Sequence, residues 1–536
     1  MAENFADAGH SSITGATGEG HGIAINKWVI AVTVMFGTFM AVMDISVVNV
    51  ALPHMMGSFG EDLSAITWVA TSYSIAEIIM ATMAGWWSTV LGRKRLYLLS
   101  YGLFTIGSVL CGVARTFPQM LFCRVLQGVG GGSLIPVSQA ILREAFPVEE
   151  QGMAMAMYGM GVVLAPAIGP IVGGWLTDHY GWPWIFFINV PVSLIGMLMV
   201  VAFVHDPHYL RRGVRKVDWG GIALLTVALT GLQVVLERGE EKNWFESHWI
   251  VLGSIVTGLA AVALLLWELR VSEPIINLRL LRNVPLTLGC SMGLVFGIGL
   301  YSTTFILPQF TQELLGYPAF EAGMVLFPRA ITLFLIMPIA GWLYRHVDAR
   351  WLVLLGLGFI FWSFYDLAHL SLDVGVWNLV PILLIMGAGM PFMFVTLSTV
   401  SLSTVDRSDM TEASSFYTLT RRVGGNIGYA LVATVIARRT QFHRARLVEY
   451  VSNYNANFRS LFNSAASALA HRGLNLLAAK QSALAVIDHL VNRQAAMLAY
   501  NDTAWVIGLM FLVTVPMVLL LPGRHKTHGS VTVASD

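Results

Sequence analysis

The stretch WVIAVTVMFGTFMAVMDISVVNVALP, from Trp28 to Pro53, is apolar almost throughout and is interrupted by a single carboxylate, Asp44. At about 1.5 Å of rise per residue a helix of this length crosses the roughly 30 Å hydrocarbon core of a bilayer. An ionised Asp inside such a helix costs about 2.5–3.5 kcal/mol on insertion scales, and intramembrane acids usually face a pathway for protons or ions. Asp44 is therefore the first candidate for chemistry. The bland alternative is a structural hydrogen bond to a neighbouring helix.

The surrounding composition agrees with a membrane protein. Of 536 residues, 56% are hydrophobic and 12% charged, with a mean hydropathy of +0.68; soluble domains average about 25% charged residues. A net charge of +1 argues against nucleic acid as a partner. Cys111, Cys123 and Cys290 lie in apolar runs without paired spacing and read as packing residues, not as a disulfide frame or metal site. The first two dozen residues read as a flexible tail, not a cleavable signal.

Fourteen apolar spans are expected, near 28–53, 65–88, 96–114, 118–142, 152–176, 184–204, 219–237, 248–268, 285–308, 321–344, 350–370, 377–402, 412–436 and 502–521. An even count places both termini on one side. Loops on that side carry seventeen Lys and Arg, against three in the short loops opposite, so both termini are expected in the cytoplasm. The corresponding units are a tail at 1–26, a six-helix bundle at 27–204, a cytoplasmic loop at 205–218, two inserted helices at 219–268, a second loop at 269–284, five further helices at 285–436, a long helical segment at 437–501, a last span at 502–521 and a tail at 522–536. In the long segment, the runs Ala465–Ala470 and Ala483–Val491 suggest amphipathic helices. It reads either as a solvated hairpin packed on the bundle or as a docking surface for a second protein.

The chain also repeats itself. Gly85-Trp86-Trp87 leads to Leu96 at the spacing by which Gly341-Trp342-Leu343 leads to Leu352, and Gly128-x-Gly130 answers Gly387-x-Gly389. Two related helical halves with substrate between them at the midplane is the usual plan of secondary transporters. Leu383 then stands where Arg124 stands, so proton handling falls to the first half and substrate shape to the second.

In the first half Asp44, Glu77 and Arg124 are the intramembrane charges. Burial raises a carboxylate's pKa and a nearby Arg lowers it, so an acid exposed to each in turn can take up and release a proton. Glu77 fits a second proton site, a counter-charge for a cationic substrate or a structural partner of Arg124. Arg124 does not deprotonate usefully and would act by biasing an acid, or would simply snorkel to the interface. The run Leu164 to Gly174, with Gly169, Pro170, Gly173 and Gly174, suits a kinked helix at the interface between halves. Arg329, Arg421 and Arg422 fit an anionic substrate or pairing with Asp366 or Glu412, with ion pairing the plainer reading.

Taken in order, these motifs resemble the fourteen-span drug:proton antiporters of the major facilitator superfamily, and within them the EmrB-like branch, over about residues 27–522. The resemblance rests on Met43 to Pro53, on Gly92-Arg93-Lys94, on the Arg124 and Gly169-Pro170 motifs, on Trp184 to Pro191 and on Leu307 to Tyr317. It implies an all-α integral membrane protein with the major facilitator fold, in which 14 transmembrane helices form two six-helix bundles plus two inserted linker helices. It implies residence in the bacterial inner membrane and proton-driven export of hydrophobic or amphipathic toxic compounds by alternating access. The Gly169-Pro170 motif marks exporters in that family. A periplasmic adaptor and an outer-membrane channel are the implied partners, with 437–501 the natural docking segment, and no cofactor or metal is implied. Arg124 carries over as the coupling arginine and Arg421 as that of span thirteen. Proton coupling then falls to Asp44, Arg124 and Glu77. Glu77, Gln127, Tyr301, Gln309, Gln312 and Arg421 are the candidate cavity residues, and Gly92, Arg93, Lys94, Gly169, Pro170, Gly173 and Gly174 the gating residues.

Three positions depart from the pattern: Thr89 replaces an Asp expected in a charge-relay gate, Pro183 replaces an Arg, and Glu77 is an added acid that would broaden substrates toward cations. Competing readings are a dedicated exporter of one metabolite (a siderophore, fatty acid or antibiotic), a receptor that kept the fold, and an intramembrane enzyme. Against the last, the chain has no H-E-x-x-H pair and no Walker-type loop.

Overall fold

A computed structural model describes residues 26–206 and 217–522. The expected tails and the basic cluster Arg211, Arg212, Arg215 and Lys216 lie outside the described residues. The described chain is helical, without strands. Its membrane helices, in order, are α1 (Lys27–Phe59), α2 (Ser64–Leu91), α3 (Arg93–Gly112), α4 (Phe117–Ala145), α5 (Val148–Tyr180), α6 (Trp184–Phe203), α7 (Trp219–Arg238), α8 (His248–Arg270), α9 (Val284–Leu314), α10 (Glu321–His346), α11 (Ala349–Leu367), α12 (Val376–Ser401), α13 (Met410–Val448) and α14 (Leu476–Leu520). Thirteen of these are both long and apolar enough to cross a bilayer. The other, α13, has the length but carries Glu412, Arg421, Arg422 and a basic far end. It packs against α2, α4, α9 and α14 all the same, and so completes the expected fourteen.

Without a hydrophobic driving force between helices in lipid, close packing depends on small residues. The repeated glycines supply it in both halves. A Cβ on Gly128 would meet the Tyr73 carbonyl of α2 at 2.5 Å, and one on Gly130 the Phe104 amide of α3 at 2.3 Å. In the second half Gly387 abuts the Arg329 carbonyl of α10 at 2.6 Å and Gly389 the Gly356 carbonyl of α11 at 2.9 Å. The other repeat does a second job. Gly85 seats α2 against Glu412 of α13, and Gly341 seats α10 against Gly152 of α5, so equivalent glycines form the two seams between the halves.

The inserted pair α7–α8 covers only one seam. Leu225, Leu229 and Leu264 join Ile78 and Met83 of α2 in one apolar cluster, against which Phe416, Leu419 and Val423 of α13 pack. At the end nearer Arg238, Gln233 bonds Asn426 of α13 and Glu237 accepts from Thr71 of α2.

The segment 437–501 is continuous with its flanking spans. Helix α13 runs unbroken for 39 residues, about 58 Å, and the first 38 residues of α14 do likewise. Both therefore overrun the bilayer by several turns, and no helix end falls near 436 or 501. Arg439 and His443 reach Asp502 at 2.5 and 2.6 Å, Arg444 reaches Asp488 at 2.9 Å, and a short helix, Ala456–His471, packs on the second strut. Both runs expected to be amphipathic helices are helical.

Candidate functional site

Asp44 lies in α1 with a side chain that is 1% exposed, and donors from three directions converge on it. Arg124 Nη1 of α4 donates to Oδ2 at 2.6 Å; Gln127 Nε2, one turn on, donates to Oδ1 at 2.8 Å; Asn189 Nδ2 of α6 donates to Oδ1 at 2.9 Å. The Ser108 hydroxyl of α3 accepts from Gln127 and Asn189 at 3.2 and 3.0 Å and donates to the Phe186 carbonyl. Arg124 is itself fully buried. Its Nε donates to the Val69 carbonyl of α2 at 2.9 Å, and its guanidinium lies 4.2 Å from the Tyr73 ring centroid. The glycines that follow in α4 make this reach possible, because they bring its backbone against α2 and α3.

A buried ion pair persists only when its remaining lone pairs and protons are satisfied. Here Asp44 accepts three bonds, while Arg124 Nη2 and Asn189 Oδ1 have no partner. The network is thus complete around the ionised acid and incomplete around the arginine. A proton on Asp44 would turn an acceptor into a donor and remove the counter-charge of Arg124. Arg124 snorkels nowhere, and its partner is the first-span acid.

Glu77 takes a partner that the sequence left unread. Its carboxylate, 3% exposed, is bound by Arg422 Nη2 of α13 at 2.5 Å, across the seam between the halves. Of the readings left open for Glu77, the structure shows an ion pair, with Arg422 and not with Arg124. In this conformation the charge of Glu77 is matched by Arg422. Tyr301 of α9 packs on Gly425, about one turn beyond Arg422, and meets the Tyr429 ring edge to face at 5.8 Å. Arg329 donates to the Thr303 and Thr304 hydroxyls of α9 at 2.8 and 3.2 Å.

The other expected cavity residues divide. Gln127 belongs to the Asp44 network and is fully buried. Gln309 donates to Glu313, and Gln312 is exposed, two turns and more beyond Tyr301 along α9. Arg421, 3% exposed, packs its guanidinium against the Phe394 and Tyr417 rings at 5.2 and 6.0 Å.

Contacts between the halves cluster toward the membrane face that holds Lys27 and Leu521, the Lys27 face. Gly92, at φ 83°, turns the chain so that Arg93 is buried between the halves. Arg93 donates to the Thr411 hydroxyl at 2.8 Å and the Arg407 carbonyl at 3.0 Å, and is ion-paired with Glu144. Arg143 donates to the Thr399 carbonyl at 2.9 Å, and Thr418 meets Gln139 at 3.4 Å. These side-chain hydrogen bonds between the two bundles lie between this face and the level of Glu77–Arg422. The halves are latched shut on the Lys27 side. Lys94 stays within its own half, on Asp206 and the Val201 carbonyl, and Thr89 bonds only its own helix.

Gly169 and Gly173 are corrected as well. Instead of the seam between halves they face α1, where a Cβ would meet Ser46 at 2.6 Å and Val47 at 3.0 Å, while Gly174 stands 3.9 Å from Val50. These contacts fix the segment of α1 just beyond Asp44. The glycines of this span that do meet the other half are Gly152, against Gly341 and Tyr344, and Gly159, against Met337 and Phe394. Asn189, Ser108 and Tyr73 were not singled out in the sequence. Asn189 had a signal, as the one amide in the apolar run Trp184–Pro191.

Known proteins resemble this chain over most of its length. The family model described as Major Facilitator Superfamily matches residues 34–429. The multidrug export protein EmrB of Escherichia coli K12 is 32% identical over 91% of this chain and 94% of its own. The fatty acid resistance protein FarB of Neisseria gonorrhoeae is 30% identical over 92% and 95%. Among solved structures, the human organic anion transporter MFSD10 superposes with a TM-score of 0.57 at 14% identity, over 90% of this chain and 99% of that one, and shares the fold.

Proposed function

Because this chain belongs to the major facilitator superfamily and to its EmrB-like branch, we propose that it exports hydrophobic or amphipathic compounds in exchange for protons, with Asp44 as the proton-carrying group. The observation that carries the assignment is the Asp44 network: a carboxylate sealed inside one half, whose three donors come from α4 and α6.

Protonation of Asp44 leaves Arg124 without its counter-charge and loosens α1 from α4 and α6. Arg124 also holds α2, through Val69 and Tyr73, and α2 carries Glu77 one turn further on. The change of charge at Asp44 therefore reaches the ion pair Glu77–Arg422, which ties the halves together. In this reading Arg124 transmits, Glu77–Arg422 latches, and Arg93 and Arg143 close the Lys27 face. Tyr301, Arg421 and the Tyr429 side of the cleft contact substrate. Both termini lie in the cytoplasm, so the protein is shut toward the cytoplasm in this conformation. The paired extensions of α13 and α14 would meet a periplasmic adaptor, and through it an outer-membrane channel.

The test uses purified protein in liposomes under an imposed proton gradient, with a pH-sensitive dye inside. Apolar cations, anions and neutral compounds are added in turn to wild type and Asp44→Asn. Compound-dependent proton flux in wild type, lost in a mutant that still elutes as a monodisperse protein, is the expected result. Full-rate coupled flux in the mutant would remove Asp44 from the proton path.

A further inference from the structure

The buried charges of the membrane helices do not balance. Asp44 is matched by Arg124 and Glu77 by Arg422, which leaves Arg143, Arg329 and Arg421 as buried guanidinium groups with no carboxylate at ion-pair distance among the described residues; Arg143, nearer the Lys27 face, donates to the Thr399 carbonyl. Arg329 is solvated by two threonine hydroxyls. The Nη1 of Arg421 has no acceptor, and its charge is faced by the rings of Phe394 and Tyr417. Ring faces attract a cation, but they do not replace the hydrogen bonds that water gave five N–H donors.

Other buried donors gather at the same place. The Tyr158 ring of α5 stacks on the Phe394 ring against which Arg421 also packs, and its hydroxyl has no well-formed hydrogen bond. The Tyr417 hydroxyl, one turn before Arg421, is likewise without a partner, as is Nε2 of Gln139, whose Oε1 meets Thr418. All four side chains are at least nine-tenths buried. Phenols can accept as well as donate, but Arg421 and the Gln139 amide nitrogen can only donate. What the cluster lacks is an acceptor with negative charge. Around it stand aromatic walls: Phe394 stacks with Tyr158 at 6.1 Å and meets Phe296 at 6.1 Å.

We propose that Arg421, Tyr158, Tyr417 and Gln139 form an anion-recognition subsite that takes the carboxylate of an amphipathic organic acid, with its apolar body against Phe394. The inference rests on reading the chain as an exporter of amphipathic compounds and adds the charge class that this subsite selects. Tyr158 and Gln139 belong to the first half, Arg421, Tyr417 and Phe394 to the second. Separation of the halves at the Lys27 face opens the subsite to that side, and closure brings Tyr158 and Gln139 over the bound carboxylate. The counter-charge therefore enters with the substrate. Glu77 does not compete for Arg421, because Arg422 holds it.

The test is equilibrium binding to the purified full chain, without a proton gradient, by scintillation proximity. The probes are tritiated 1-naphthaleneacetate, its uncharged primary amide of the same shape, and 1-naphthylethylamine. Wild type is expected to bind the acid at least tenfold more tightly than the amide and more tightly still than the amine. Arg421→Gln is expected to bind acid and amide alike, and Arg421→Lys to keep part of the preference. Equal or inverted affinities in wild type, or no binding of the acid, overturn the proposal, and neither result depends on a variant that folds. Acid preference undiminished in a folded Arg421→Gln overturns the assignment to Arg421. Failure of the antiport reading would appear elsewhere, as absent proton flux beside an intact preference for the acid.

Discussion

Four residues ahead of the glycine that seats α4 on α2 stands Arg124; four residues ahead of the glycine that seats α12 on α10 stands Leu383, fully buried. The backbones around these two positions are packed alike, glycine against carbonyl. Their chemistry is unlike. In the first half the arginine closes a network around Asp44. In the second the same place is apolar, and the charge has moved to Arg329, Arg421 and Arg422, which have no ion-pair partner from their own half among the described residues. The repeat therefore preserves what packing requires, and the halves diverge where a charge must either be held or be offered. Holding requires that every group be matched inside one rigid bundle, whereas offering requires a charge whose partner comes from elsewhere.

Making the halves alike should be the most damaging change. Arg124→Leu copies Leu383 into the first half and strands Asp44 as an unmatched buried acid. Breaking one side of a buried pair costs about 3–5 kcal/mol, so thermal unfolding in detergent should fall by many degrees and coupled transport should vanish. Adding Asp44→Asn to the same chain should restore much of the stability and none of the transport. If Arg124→Leu alone unfolds at the wild-type temperature, the two halves do not differ in the way described.

The next change separates a pair within one half from the pair between halves. Glu77→Gln keeps the shape at the seam and removes the charge that Arg422 binds. The loss is about 1.5–3 kcal/mol, the range for a hydrogen bond to a charged group, and it falls on the closed state and not on either bundle. Thr399→Cys, buried at the Lys27 face, should then react with a maleimide at least about tenfold faster in the Glu77→Gln background, since 1.4 kcal/mol is a factor of ten. Unfolding temperature should move less than in Arg124→Leu. An unchanged labelling rate would show that Glu77–Arg422 does not latch the halves.

The same contrast explains what was legible in the sequence. Spans, their order and the two-half plan follow from hydropathy and glycine spacing, which are local properties. Asp44 and Arg124 stand out because a charge in an apolar run is expensive wherever the chain folds. Partners are another matter. Glu77 and Arg422 are 345 residues apart, and each alone has several plausible counter-ions. The facing of Gly169 toward α1 depends on the rotation of α5 about its axis, which an apolar run with no polar stripe does not specify. The two long struts were hidden for a simpler reason: a helix that leaves the bilayer loses its apolar signal while its backbone continues, so the basic residues after 436 look like a loop.

The smallest effect concerns the inserted hairpin, which touches the halves by different means. At the end of α7 Arg238 bonds Ser64 and Thr67 at the start of α2, with Glu241 closing the group, whereas Trp244 reaches Thr434 of α13 by a neutral bond of 2.9 Å. Hydrogen bonds from Arg238 and Ser64 hold the Glu241 carboxyl below its ordinary range. A depressed acid stabilises the fold above its unfolded pKa, and that contribution is lost as pH falls through its folded value. Because Glu241 is a surface group, the effect is at most about 0.2–1 kcal/mol and is screened by salt. Glu241→Gln should therefore lower the unfolding temperature slightly at pH 7, and the difference from wild type should disappear in acid, below the range where carboxylates titrate. Trp244→Phe should lower it by an amount that does not change with pH or salt. If both variants respond to pH alike, the hairpin is not tied to the first half by charge, and its two attachments do not differ in the way described.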